Sequence, residues 1–239
     1  MRMLKPMAVI LAALACGAAA APAMDKDNPT CPADVDWGQP KAMTLTPADR
    51  GGKHVLLADG IIDSRLPERM KAALDADPRI SEIWLKSRGG NAKAGNATGL
   101  LIRKQYPGMT TRIPSGWTCF SACNFVFMGG DLRYVDPGGI FMVHMFTHTT
   151  SERDAIDLSV DEGATETTKL IGQIEQSSAM LASADNDFLI RMGISRKLLT
   201  DIMYRQQAVA TDADRSTRYC LSQDEVRKYN VMPRTMPAG

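Results

Sequence analysis

From His54 onward the sequence alternates short apolar runs with segments of helical period, and that alternation admits few folds. HVLLADGIID (His54 to Asp63) and ISEIWLKS (Ile80 to Ser87) read as strands, and between them Leu66, Met70, Ala73 and Leu74 recur at helical spacing. AKAGNATGLLIRKQY (Ala92 to Tyr106) reads as a helix with Leu100, Leu101 and Ile102 on its buried face. TTRIPSGWTC (Thr110 to Cys119) reads as one strand leading into SACNFVFMGG, a short apolar helix ended by Gly129 and Gly130. LRYV and GIFMVH follow as two more strands. Each crossover helix needs an apolar sheet face to cover, so the expectation for residues 51–239 is a single α/β domain, a twisted sheet with helices on both faces. Beyond His144 the pattern is helical from Asp154 to about Gln207, with a break at Gly193. Ser222 followed by Glu225 marks a capping box at the start of a last short helix.

The first 23 residues read as a secretory signal: Arg2 and Lys5, an apolar run from Met7, then small residues ending in Ala21-Pro22-Ala23. That run is shorter than the roughly 20 residues a membrane span requires, and no later segment resembles one. The expected location is therefore periplasmic. Leu14-Ala15-Cys16-Gly17 has the form of a lipoprotein processing site, so anchoring through Cys16 is the alternative. Removing the leader takes two of the 28 basic residues against 27 acidic ones and leaves a net charge of about −1. Such a balance offers no general attraction for nucleic acid or an anionic membrane. Residues 24–50, rich in Pro, Asp and Thr, read as an extended arm. Cys31, Cys119, Cys123 and Cys220 would remain, enough for two disulfides in any of three pairings.

Chemistry concentrates at the ends of the expected strands. Ser121 falls at a strand-to-helix junction, where unpaired backbone N–H groups can hold an oxyanion. On its own, a serine there is an N-cap. His144 ends a later strand and is a candidate general base for the hydroxyl. Arg88-Gly89-Gly90 follows another strand, and its glycines let backbone N–H groups approach a substrate carbonyl.

In this order the motifs resemble the ClpP/crotonase-like superfamily, in particular the Clp protease proteolytic subunit and the signal peptide peptidases. SRGG (Ser87 to Gly90) is similar to the family's Ser-Pro-Gly-Gly turn, CFSACNFVFMGG to its nucleophile segment, and GGIFMVH to the strand that ends at its catalytic His. DADRSTRYCLSQDEVRKYNV has the shape of the segment that carries the family's acid. The resemblance implies Ser121 as nucleophile, His144 as base, Asp214 as orienting acid with Asp212 as fallback, and the N–H groups of Gly90 and Ala122 as oxyanion hole. It further implies peptide or protein substrates, a homo-oligomer such as a trimer or a multiple of it, and no cofactor. The chain departs from the pattern at Arg88, which replaces a proline, and at Cys119 and Cys123, which bracket the nucleophile.

Three other readings compete. Cys119, Cys123, His144 and His148 supply the donors of a structural zinc site. A chain with this fold can also be a non-catalytic binding or assembly protein. Acyl-CoA chemistry, known from crotonases, conflicts with export. Trp37, Trp84 and Trp117 read as packing residues, the acidic stretch from Asp154 to Glu166 as a solvated face, and His54 has no assigned role.

Overall fold

A computed structural model describes residues 23–144, 153–203, 205 and 217–233. The main sheet has five strands in the order β1-β2-β3-β4-β6: β1 (Thr44–Arg50), β2 (Lys53–Asp59), β3 (Glu82–Lys86), β4 (Thr110–Ile113) and β6 (Leu132–Val135). β1 is antiparallel to β2, and the other neighbours are parallel. Helices α1 (Leu66–Ala76) and α2 (Ala92–Gln105) make the crossovers that parallel pairing requires. The mixed α/β architecture expected from the alternation is the one observed. The strand β1 comes from the segment read as an arm.

The stretch from Thr110 to Cys119 is two strands rather than one. Pro114 cannot donate to a ladder, and the chain turns there, with Trp117 N–H donating to Pro114 O at 3.0 Å. The second piece, β5 (Thr118–Phe120), enters a smaller sheet of order β5-β7-β8 with β7 (Ile140–His144) and β8 (Arg218–Cys220). β7 runs parallel to β5 and antiparallel to β8. The two sheets meet where Ser87, just past β3, bridges Cys119. That junction places the ends of β3, β5 and β7 side by side.

Helix α3 (Ala122–Met128) follows β5 directly and is buried along almost its whole length. Its C-terminal carbonyls are capped by arginines: Arg103 donates to Gly129 O and Gly130 O, and buried Arg133 to Gly130 O. Burial lowers the pKa of Arg133 to about 10, which still leaves it charged at neutral pH. On the sheet, buried Glu82 is desolvated, yet Arg112, Lys53 and Trp84 bind its carboxylate and hold its pKa down to about 2.

The buried face of α2 differs from the expected one. Ala94, Gly95, Thr98, Gly99 and Ile102 are buried, whereas Leu100 and Leu101 are only half covered. Small residues are needed because α3 comes against α2 backbone to backbone. A Cβ on Gly99 would meet Phe125 O and lie 2.8 Å from Phe188 Cζ. Gly99→Ala gains about 1 kcal/mol of helix propensity but overpacks a rigid contact, a loss of about 1–3 kcal/mol. The expected result is a lower denaturation midpoint in urea, with an unchanged denaturant slope.

The helical C-terminal half comprises α4 (Arg153–Glu162), α5 (Ala164–Arg191) and α6 (Lys197–Met203), with Gly193 at φ 68° where the chain leaves α5. The final helix, α7 (Gln223–Lys228), carries the expected capping box between Ser222 and Glu225. No helix among the described residues is long and apolar enough to cross a membrane.

Candidate active site

Ser121 occupies the N-cap position of α3, but its side chain makes no capping hydrogen bond. Its backbone sits at φ 57° and ψ −124°, a region that non-glycine residues rarely enter and that costs on the order of 1–3 kcal/mol. This conformation turns the hydroxyl away from the helix. Ser121 Oγ instead lies 2.8 Å from His144 Nε2. A sharp turn of this kind between a strand and a helix exposes a nucleophile above the sheet.

Neighbouring residues fit the turn closely. A Cβ on Gly89 (φ 90°) would lie 2.7 Å from both Phe120 O and Ser121 Cβ, so only glycine allows β3 and the serine turn to meet. Gly89 N–H donates to Ser87 Oγ and Gly89 O accepts from Ile62 N–H, which fixes the Gly-Gly segment. The N–H groups of Gly90 and Ala122 donate no hydrogen bond among the described residues. Arg88 is exposed beside this turn.

His144 is held from several sides. The Phe120 ring lies against the imidazole with centroids 4.7 Å apart. Trp37 of the arm packs edge-on to Phe120 at 5.5 Å, and the Arg218 guanidinium lies over both aromatic rings. Behind the pair, buried Asn124 donates from Nδ2 to Met142 O at 2.7 Å and ties α3 to β7. The ladder sets His144 opposite Arg218, at the start of β8.

Two disulfides frame this region. Cys119 and Cys123 are bonded to one another across the serine turn. Cys31 and Cys220 are bonded across 189 residues and tie the arm to β8. Asn28 reinforces the second attachment by donating to Arg218 O at 2.7 Å. With Cys119 and Cys123 joined, their sulfurs are not thiolates, and the zinc reading loses two of its four donors. His148 lies outside the described residues, as do Asp214 and Asp212.

A cavity of about 80 Å³ opens on Ser121 and His144. Its wall is largely apolar, including Phe125, Met128, Phe141, Leu189 and Leu198, with Asp185 among them. Burial pushes the Asp185 carboxyl up to about 6. Sequence reasoning missed Asp185, which sits on a helix rich in polar residues. The signal that could have found it is its place between Leu181 and Leu189, at intervals of four on one helix face. His54, given no role, bridges Asp49 and Asp77 far from the cavity. Trp84 and Trp117 pack edge-on against one another.

No family model matches the chain, and no curated protein does. Among solved structures, that of a ClpP1 mutant from Listeria monocytogenes is similar, at 17% sequence identity and a TM-score of 0.48, over 72% of this chain and 85% of that one.

Proposed function

We propose that this chain is a ClpP-like serine hydrolase that cleaves peptide bonds through an acyl-enzyme on Ser121. One observation carries the reading: a serine at an N-cap position leaves the helix N–H groups uncapped and places its hydroxyl 2.8 Å from His144 Nε2. A purely structural serine there would give its oxygen to the helix. Its unfavourable backbone would then have no return.

In the reaction, Ser121 Oγ bonds to the scissile carbonyl carbon as its proton passes to His144 Nε2. The oxygen turns anionic and is held by the N–H groups of Gly90 and Ala122. His144 then delivers the proton to the departing amine as the C–N bond breaks. Water attacks the resulting ester by the same relay, releasing the acid and restoring the serine. Asp214, with Asp212 as the alternative, completes the proposal as the acid that fixes the imidazole tautomer. In its support, Asp214 precedes Arg218 by only four residues, and Arg218 pairs with His144.

The two disulfides fit an exported, oxidising setting, in line with the leader-like first 23 residues. Self-association as a trimer or a multiple of it belongs to the same proposal. Exposed Leu158, Val160, Ile171 and Met180 on α4 and α5 give it an apolar surface.

Intact-mass measurement after treatment with a fluorophosphonate tests the reading. The expected product is a single adduct that maps to the Ser121 peptide and is absent from Ser121→Ala. A folded, disulfide-bonded wild-type protein that takes no adduct overturns it in favour of a binding protein.

A further inference from the structure

The cavity beside Ser121 and His144 contains a chemical imbalance that hydrolysis alone does not explain. Leu181, Asp185 and Leu189 fall at intervals of four on α5, so all three project from one helix face, and all three line the cavity. The middle one is a carboxylate in an otherwise apolar stripe. No hydrogen bond or ion pair to Asp185 is present among the described residues, and desolvation alone displaces its titration upward. Lys93 and Arg191 line an adjoining groove that shares Asp185, but neither pairs with it. Arg191 is engaged by Asp187 at 2.7 Å.

A second unpaired group lies in the same wall. Asn124 uses Nδ2 on Met142 O and leaves its buried Oδ1 without a donor. Both unpaired groups are acceptors. A buried acceptor left unmade is costly, and a partly desolvated carboxylate without a partner adds to that cost. A ligand that relieves the wall must therefore donate hydrogen bonds, and one that balances it must be positive. The rest of the wall, with Phe125, Met128, Phe141, Leu189 and Leu198, suits a hydrocarbon stem.

From this juxtaposition we infer that the cavity is a specificity pocket for a long cationic side chain, that of lysine or arginine, on the residue whose carbonyl Ser121 attacks. The inference rests on the peptidase reading for its place in a reaction, though not for the binding itself. The aliphatic stem lies along the apolar wall, and the ammonium or guanidinium meets Asp185. Ion pairing with a partly desolvated carboxylate discriminates against an uncharged side chain of the same length.

Binding is measured on the full-length Ser121→Ala protein with N-acetyl-Ala-Ala-X amides, where X is lysine, arginine, norleucine or phenylalanine. Norleucine keeps the stem of lysine and lacks its charge. The lysine and arginine peptides are expected to bind at least tenfold more tightly than the norleucine peptide. Asp185→Asn on the same background removes that preference, and Asp185→Leu reverses it. Both variants keep or raise the melting temperature, because each removes a partly desolvated carboxylate that has no partner among the described residues. Norleucine binding as tightly as lysine, or a lysine preference that survives Asp185→Asn, overturns the assignment. Turnover of the matching coumarin amides by wild-type protein separates the two levels. A lysine preference in binding with no cleavage of any peptide defeats the peptidase reading and leaves the pocket assignment standing. Cleavage with norleucine favoured does the opposite.

Discussion

Ser121→Ala, His144→Ala and the variant carrying both changes are each expected to lower kcat/KM for a peptide substrate by roughly ten-thousand-fold to a million-fold, and to converge on one residual rate. Convergence is the informative part. A hydroxyl 2.8 Å from an imidazole works as a unit with it: without the base the hydroxyl stays protonated, and without the hydroxyl the base has nothing to activate. Losing the second partner then adds almost nothing. Under the proposed mechanism, any residual rate belongs to the N–H groups of Gly90 and Ala122 and to substrate binding, which neither change removes. Both side chains are only half-buried, so the melting temperature of each variant is expected to stay close to that of the wild type. Steady-state kinetics on the three variants decides the matter. Full activity in either single variant would sink the proposal, and losses that multiply in the double variant would show that the two groups act separately.

The second large effect concerns stability. Replacing Cys31 and Cys220 together by serine is expected to lower the unfolding free energy by about 5 kcal/mol, since a bond closing a loop of this length removes that much denatured-chain entropy. The corresponding Cys119/Cys123 change removes a constraint between residues only four apart, and the same reasoning gives about 2 kcal/mol. Against the typical 5–15 kcal/mol that holds a domain together, the first loss takes about a third or more. Urea denaturation under non-reducing conditions reads both. A Cys31/Cys220 variant as stable as wild type would mean that the arm's hydrogen bonds and the packing of Trp37 hold it without the bond.

Local pattern carried much of this in the sequence. Strands β2, β3, β6 and β7 follow from short apolar runs, and α7 from its capping box, because each is specified by neighbours in the chain. The division of β4 from β5 was also visible in principle, at Pro114 and Gly116, but strand-favouring β-branched and aromatic residues on either side obscured it. The packing face of α2 was not legible. Gly95 and Gly99 are buried because the α3 backbone arrives there, a tertiary fact that overrides the apparent Leu100-Leu101-Ile102 stripe. For the site, the order of motifs along the chain, read through the family resemblance, paired Ser121 with His144, and the structure places them 2.8 Å apart. Geometry added what order could not: the serine's turned backbone, the glycine at 89 that the turn requires, and Asp185 contributed from a helix more than sixty residues further along. Four cysteines gave no pairing by themselves, because every pairing is compatible with an even count.

The pairing that does occur is nested, with Cys119–Cys123 enclosed between Cys31 and Cys220. A chain that oxidises from its N-terminus as it is delivered presents Cys31 and Cys119 first, and joining them gives a bond the native protein does not contain. The correct partner of Cys31 arrives last. Under the proposed export, maturation is served either by keeping Cys31 reduced until nearly the whole chain has emerged, or by a thiol-disulfide isomerase that reshuffles an early wrong bond. Where the early bond forms, the yield of correctly paired protein follows the host's isomerising capacity rather than its oxidising power.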